Sequence, residues 1–374
     1  MTDWERLVKP ALRSVGAYDP GPSPDEQLAA LGVDAVAKLN WNEGLWGPLP
    51  GVDAAVTAAL DQVWAYPAHA YGTLREAIAA DSGVRPDQVQ PAHGIQALIL
   101  TIVTAIVRSG DAVVVPEHTY GLYAQAARVA GAEVVRVSSP ALALDLERIA
   151  AAVRRTRARL VWICDPNNPT GARLGADEWR TFLDAVGPDC VVVADEAYAD
   201  YVEPAQRIRR EDDVDDGRAV VVLRTFSKLY GLAGLRLGYA VADPALLHFL
   251  NSVQEPFNVN RAALAAGLAS LGRAGEVAAR RAEVAAVRAR FAARLAEGGM
   301  APQPSAANFV LVDLGVDDAL LTERLVRRGF LIRPGREMGL PGRARITIGP
   351  EALMERAAAA LLDVRAELGA GVTA

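Results

Sequence analysis

Between about residue 95 and residue 240 the chain repeats a pattern that few architectures accommodate. A short run of apolar, mostly β-branched residues is followed by a longer stretch with apolar positions at helical spacing. Ala112 to Val115, stopped by Pro116, is one such run; Glu133–Val137, Leu160–Cys164, Cys190–Ala194 and Ala219–Leu223 follow, and Gly238–Val241 is a candidate sixth. Ile95 to Arg108 and Leu122 to Ala130 read as helices, stopped at Ser109-Gly-Asp111 and at Gly131. Strands that are apolar throughout must be covered on both faces. The pattern therefore predicts a mainly parallel sheet between two layers of helices, with ligand sites at the carboxyl ends of the strands.

The flanks read differently. Residues 1–35 are proline-dotted and irregular, and Arg261 to Gly298 is a long Ala/Arg-rich helical stretch interrupted near 271–275. After it come a strand at Asn308–Asp313, a helix from Asp317 to Gly329, strands around Leu331 and Ile346, and a helix from Glu351 to about Leu368. This order predicts a small α+β domain formed by residues 1–39 and 261–374, beside a large domain over 40–260.

A hydrophobic content of 51% in 374 residues fills a large core and excludes a disordered or fibrous chain. A net charge of −6 offers no basic surface for nucleic acid. The N-terminus lacks an apolar stretch of the signal-peptide kind and no run of about 18 uncharged apolar residues occurs, so a soluble cytoplasmic protein with no membrane partner is expected. Cys164 and Cys190 lie at apolar runs and read as buried reduced thiols, not as a disulfide or a metal site. Of the 39 basic residues only Lys9, Lys38 and Lys228 are lysines. Arginine stays protonated, so a side-chain amine nucleophile has to be one of those three.

Polar clusters stand just after three of the runs. Asp165-Pro-Asn-Asn-Pro-Thr-Gly171 follows the third and Asp195-Glu-Ala-Tyr198 the fourth, where a buried acid needs a cationic partner. Arg224-Thr-Phe-Ser-Lys228 follows the fifth, with a glycine-rich segment and Arg236 beyond it. A lysine beside cations has a lowered pKa and enough neutral amine to form a Schiff base with an aldehyde. An aspartate opposite a pyridine nitrogen keeps that nitrogen protonated, and hydroxyls, backbone N–H groups and a guanidinium hold a phosphate. Aldehyde, pyridine and phosphate together describe pyridoxal 5'-phosphate (PLP).

With these clusters in order, the chain resembles the class I and II, fold-type I PLP-dependent aminotransferases. The likeness is greatest to the histidinol-phosphate aminotransferase group and its aromatic aminotransferase relatives. Asn42-Glu43, Trp46-Gly-Pro-Leu-Pro50, Tyr66-Pro67, Asn167-Asn-Pro-Thr-Gly171, Asp195-Glu-Ala-Tyr198 and Thr225 to Tyr239 carry it. Pro256-Phe-Asn-Val-Asn260, Ala307-Asn-Phe-Val310, Ile332-Arg-Pro334 and Arg345-Ile-Thr-Ile-Gly349 extend it almost to the C-terminus.

The resemblance implies a seven-stranded sheet sandwiched by helices plus a small domain, and a homodimer with shared active sites. It assigns Lys228 to the Schiff base and proton transfer, Asp195 to the pyridine nitrogen, Tyr198 and Asn168 to the ring oxygen, and Tyr120 to the ring face. Thr225, Ser227, Arg236 and the Gly94-Ile95-Gln96 loop match the phosphate site, with Tyr66 reaching the phosphate of the neighbouring subunit. Arg345 and, less directly, Arg333 match arginines that hold the substrate's anionic group. Trp46 stands at a substrate-side tyrosine position, its indole offering one donor and more apolar face.

Two further departures stand out. His93 and Ile95 replace the usual polar residues of the phosphate loop, His93 as a packing or an active-site residue, and Asp165 begins the usual Asn-Pro-Asn-Asn-Pro segment. Transamination between an amino donor and a 2-oxo acid such as 2-oxoglutarate is the implied activity. Histidinol phosphate, an aromatic amino acid and a specialised amino acid remain open as donors, and a decarboxylase or lyase is the alternative on the same scaffold.

Overall fold

The computed structural model describes residues 4–18, 35–68 and 70–370; residues 19–34, part of the segment expected to be irregular, lie outside them. Twelve strands occur among the described residues. They are β1 (Ala37–Leu39), β2 (Val89–Ala92), β3 (Ala112–Pro116), β4 (Glu133–Val137), β5 (Leu160–Cys164), β6 (Val191–Asp195), β7 (Val220–Thr225), β8 (Gly238–Val241), β9 (Ala301–Pro302), β10 (Phe309–Asp313), β11 (Phe330–Pro334) and β12 (Arg343–Thr347). β2 to β8 form a seven-stranded sheet in the order β2-β8-β7-β6-β5-β3-β4, with β3 to β7 mutually parallel. β8 runs against both β7 and β2.

The uninterrupted apolar runs have the expected cause. Val114, Val161, Ile163, Val192, Ala194 and Val222 project into one core layer, and Val113, Val115, Leu160, Trp162, Val193, Val221 and Leu223 into the other. Alternate residues of each strand thus enter opposite layers, both closed by helices. Leu74 and Ile78 of the helix Gly72–Ser82 and Trp179, Phe182 and Leu183 of Ala176–Val186 cover the first. Leu98, Ile99 and Ile102 of Gly94–Ile106 and Leu247 and Leu250 of Pro244–Val253 cover the second. Cys164 and Cys190 are buried and form no disulfide.

β1, β9, β10, β11 and β12 form a second sheet in the order β1-β11-β12-β10-β9. Its apolar core includes Phe309, Val312, Ile332 and Ile346, with Val287 and Phe291 of the helix Ala274–Glu297 and Leu361 of Glu351–Ala370. The helix Arg261–Ser270 shares the large-sheet core through Ala263 and Ala266 instead. Tyr198 and Leu229, from loops of the large sheet, enter the small-sheet core, so the two bodies meet at those loops. No helix among the described residues is long and apolar enough to cross a membrane.

Candidate active site

Register places the site. Thr225 at the end of β7 pairs with Gly238, and Gly238 with Ala92 at the end of β2, so the helix Gly94–Ile106 starts beside the turn that follows β7. A Cβ on Gly238 would stand 3.0 Å from the Ile95 amide nitrogen, a close approach only glycine permits. Lys228 lies in that turn. Its Nζ donates to the Asn42 carbonyl at 2.9 Å and to the Trp41 carbonyl at 3.2 Å, and stands 5.6 Å from the Tyr198 ring centre. Burial first, then the positive charges of Arg345 and Arg236, lower its pKa to about 8, while Glu43 and Asp195 oppose them.

Asp195 ends β6 with 3% of its surface exposed and forms no salt bridge among the described residues. Its Oδ2 accepts from the Tyr123 hydroxyl at 2.5 Å and its Oδ1 from the Ala197 amide at 3.0 Å. Burial nevertheless raises its pKa to about 6, against those two bonds and the Lys228 charge. The arginine-paired acid is the next residue, Glu196, held by Arg210 and Arg224. Asp195 is thus a buried carboxylate that a further cation would stabilise, as a protonated pyridine nitrogen requires.

Tyr198 and Asn168 are joined at 3.4 Å, and Asn42 Nδ2 also donates to the Tyr198 hydroxyl, at 3.0 Å. Burial raises the pKa of that phenol, with Arg345 acting the other way. Arg345, on β12, donates through Nη1 to Asn168 Oδ1 at 2.6 Å and through Nη2 to the Asn40 carbonyl at 2.5 Å, and its buried Nε has no partner. Arg333 is its cross-strand neighbour and pairs with Glu337 at 2.9 Å. The positive end lies at the start of the helix Gly94–Ile106. Arg236 there donates to Gln96 Oε1 at 3.1 Å, and a Cβ on Gly94 would meet its Nη2 at 2.8 Å. Thr225 Oγ1 donates to the Leu237 carbonyl and accepts from the Ser227 amide. Tyr120 accepts from Gln96 Nε2 at 2.8 Å.

A lysine of lowered pKa, an unpaired buried carboxylate and a guanidinium at a helix start fit the three ends of PLP. Comparison with known proteins bears on the same point. The sequence profile of the family described as aminotransferase class I and II matches residues 40–361. The chain belongs to this family. It is 40% identical to the histidinol-phosphate aminotransferase of an Anaeromyxobacter species over 364 residues, covering 95% of this chain and 98% of that one. The histidinol-phosphate aminotransferase of Symbiobacterium thermophilum is 38% identical over 364 residues, covering 97% and 99%. The crystal structure of histidinol-phosphate aminotransferase from Sinorhizobium meliloti in complex with pyridoxal-5'-phosphate matches with a TM-score of 0.90 at 30% identity, covering 96% of this chain and 98% of that one. The resemblance read from the motifs holds, and with it the fold class and PLP-dependent transamination as the chemistry of the family.

Not every expected residue of this aminotransferase joins the cluster. Tyr66 is 79% exposed and stacks on Phe257 at 4.8 Å. Trp46 directs its indole N–H to Glu283 Oε1 at 2.8 Å, so its one donor is engaged by the helix Ala274–Glu297. His93 is exposed, immediately before the helix that starts at Gly94. Three residues of the cluster had no role in the sequence reading. Asn42 holds both Lys228 and Tyr198, Tyr123 holds Asp195, and Tyr18 sits edge-on to Tyr120 at 5.9 Å. Asn42 lies within a motif that carries the resemblance and Tyr123 three residues beyond Tyr120; Tyr18 lies in an irregular stretch without periodicity.

Proposed function

We propose that this aminotransferase binds PLP at the cluster around Lys228 and takes histidinol phosphate, or a donor of the same imidazole-and-anion chemistry, with 2-oxoglutarate as acceptor. The observation that carries the reading is the buried Lys228 amine, lowered to about pKa 8 among Arg345, Arg236 and Asp195. The relatives that match over almost their whole length are histidinol-phosphate aminotransferases, which supports the choice of donor.

Bound PLP supplies an aldehyde that condenses with amines and a pyridinium ring that withdraws electrons from the donor's Cα. The chain supplies the rest. Lys228 Nζ, neutral in a useful fraction at physiological pH, is the base that takes the Cα proton and returns it. Asp195 holds a proton on the ring nitrogen, and the hydroxyl of Tyr198 with the amide of Asn168 hold the ring oxygen. Tyr120 covers a ring face. The backbone at Gly94, Ile95 and Gln96, the hydroxyls of Thr225 and Ser227, and Arg236 hold the phosphate. Arg345, assisted by Arg333, holds the anionic end of each substrate in turn: the donor's phosphate, then the acceptor's carboxylate.

A homodimer is part of the proposal. Tyr66 lies on an exposed surface with Leu60, Val63, Trp64 and Phe257, and reaches the phosphate site of the neighbouring subunit. We also propose a large body over 4–18 and 40–273, since Tyr18 packs on the large-sheet core and Gln125 donates to the Gly16 carbonyl, and a small one formed by 35–39 and 274–370. The boundary shifts past the helix Arg261–Ser270 because that helix shares the large-sheet core.

An aromatic 2-amino acid is the second reading. Trp46 favours it, since an indole engaged by Glu283 gives no hydrogen bond to a phosphate. The test mixes purified PLP-loaded protein with histidinol phosphate, Phe or Tyr, and 2-oxoglutarate, and follows nitrogen exchange by mass spectrometry. Exchange from histidinol phosphate is expected. Exchange from Phe or Tyr alone replaces the first donor by the second, and loss of CO₂ or ammonia instead makes the enzyme a decarboxylase or lyase. Lys228→Ala should lose both turnover and the visible absorbance of the bound cofactor.

A further inference from the structure

One buried cation takes no part in the roles given above. Arg210 has 2% of its surface exposed and stands just before the short helix Glu211–Asp215, in the stretch between β6 and β7. Its Nη2 donates to Asp165 Oδ2 at 2.5 Å and its Nη1 to Glu196 Oε1 at 2.7 Å, and its guanidinium carbon lies 4.3 Å from the Trp179 ring centre. Arg224 meets the other oxygen of Glu196 at 2.8 Å and reaches on to Glu211 at 2.7 Å. Asp165 has no other ion-pair partner among the described residues.

The two acids joined by Arg210 directly follow the neighbouring strands β5 and β6. Asp165 opens the loop that carries Asn168, and its backbone amide donates to the Asp195 carbonyl at 3.0 Å. Its Oδ1 accepts from the Leu174 amide at 3.1 Å where that loop ends. Glu196 lies between Asp195 and Tyr198. A single guanidinium therefore ties together the two segments whose side chains meet at the Asn168–Tyr198 contact. A planar fork holds two carboxylates in fixed relative positions, whereas an ammonium is a point charge. The position of Asp165 carries an asparagine in the motif the chain resembles. A neutral amide needs no counter-charge there, while a buried acid does, so Asp165 and Arg210 form a coupled pair.

We propose that Arg210 is a positioning residue for transamination. Through Asp165 and Glu196 it sets the loop bearing Asn168 against the segment bearing Asp195 and Tyr198. The inference rests on the reading that Asn168 and Tyr198 hold the ring oxygen of the cofactor, so its first readout is the visible band of the PLP-loaded protein titrated with pH.

Two variants test it. Arg210→Lys keeps one buried positive charge without the fork, and Asp165→Asn with Arg210→Met removes both charges together. Each is characterised by melting, by the pH midpoint of the visible band, and by kcat and KM. The expectation is a folded protein whose midpoint moves by at least about half a pH unit. Its kcat should fall roughly tenfold or more while KM changes less than about threefold. A folded variant with the parent's midpoint and kcat would overturn the proposal, because Arg210 would then only balance charge. Failure of both variants to fold would overturn it too, since Arg210 would be a requirement of the fold, not of the site. A parent protein with no pH-dependent band would remove the premise about Asn168 and Tyr198, and the inference with it.

Discussion

The Tyr123 hydroxyl donates to Asp195 Oδ2 across 2.5 Å, and the Tyr123 ring lies flat on Trp162 at 4.6 Å with an angle of 4° between the planes. The donor is thus held by packing on a core strand, not by the carboxylate alone. This bond lowers the pKa of Asp195 against the desolvation that raises it to about 6. Tyr123→Phe keeps the stack and removes only the donor. A hydrogen bond to a charged group contributes about 1.5–3 kcal/mol, so PLP affinity should fall roughly tenfold to a hundredfold. The acid limb of the kcat/KM profile should move to higher pH, because the ionised carboxylate is the form that holds the ring nitrogen. Titration of the apoprotein with PLP and a pH–rate series measure both; an unchanged acid limb would count against the assignment of Asp195.

Lys228 is a base whose pKa in the folded protein, about 8, lies below the ordinary lysine value of 10.5. The charged amine therefore costs stability below about pH 8, and that cost fades as pH rises from there toward 10.5. The same shift sets reactivity. At pH 7 about one amine in ten is neutral, against about one in three thousand for an unperturbed lysine. The rate at which the apoprotein captures PLP should rise with pH to a plateau with a midpoint near 8. Arg345→Met removes a neighbouring positive charge and should move that midpoint upward. Stopped-flow recombination over pH 6 to 10 reads both; a midpoint near 10 in the parent excludes a perturbed lysine.

How much of this could be read from the chain depended on where each residue sat. β3 and β5 to β7 were legible because burial on both faces leaves continuous apolar runs, as in Leu160–Cys164. β2 was not. Val89-Gln-Pro-Ala92 contains a polar residue and a proline, tolerated because β2 is the edge strand of the large sheet. The reversal of β8 was invisible too, since Gly238–Val241 is as apolar as the parallel strands of the sheet. Lys228, Asp195 and Asn168 stood out because polar residues directly after core strands are costly unless they serve a site. The contacts of Tyr123 and Tyr18 depend on tertiary packing that no local spacing encodes. A cationic partner was expected for Asp195, yet both arginines went to Glu196, one residue further on.

Trp46 is the residue whose role the structure most constrains. Its N–H is engaged by Glu283, and Arg280 of the same helix donates to the carbonyls of Gly47 and Leu229, clasping this loop against the Lys228 turn. Trp46→Phe removes a hydrogen bond made to Glu283, not to Lys228, Asn168 or Arg345. KM for each donor should therefore change by less than about threefold, with melting lowered only slightly, as for other partly exposed polar pairs. A tenfold rise in KM for histidinol phosphate alone would show that the indole turns toward the phosphate in the working enzyme.

Arg345 should behave in the opposite way. Its Nη1 and Nη2 are spent on Asn168 and the Asn40 carbonyl, and its buried Nε lacks a partner, so the guanidinium is fixed in place before substrate arrives. Arg345→Lys keeps a positive charge but cannot make both fixed bonds and still face an anion. Loss of a desolvated charge contact costs about 2–4 kcal/mol, so kcat/KM should fall by about one and a half to three orders of magnitude for donor and acceptor alike. Steady-state kinetics with each substrate varied in turn measure it, and an effect confined to one substrate would separate the donor's anion site from the acceptor's.

Tyr66 supplies the test of the shared site. Within one chain it is exposed and stacked on Phe257, and Arg261 donates to its carbonyl at 2.9 Å, which fixes the backbone that presents it. If its hydroxyl completes the phosphate site of a neighbour, Tyr66→Ala and Lys228→Ala damage different subunits of each site. In a mixed dimer one site then carries both lesions and the other carries neither. Two impaired homodimers, unfolded and refolded together in equal amounts, should give about one quarter of the parent activity, since half of the dimers are mixed and each has one intact site. Light scattering before and after refolding establishes the dimer. Activity no higher than the mean of the two separate variants would place Tyr66 outside the partner's site.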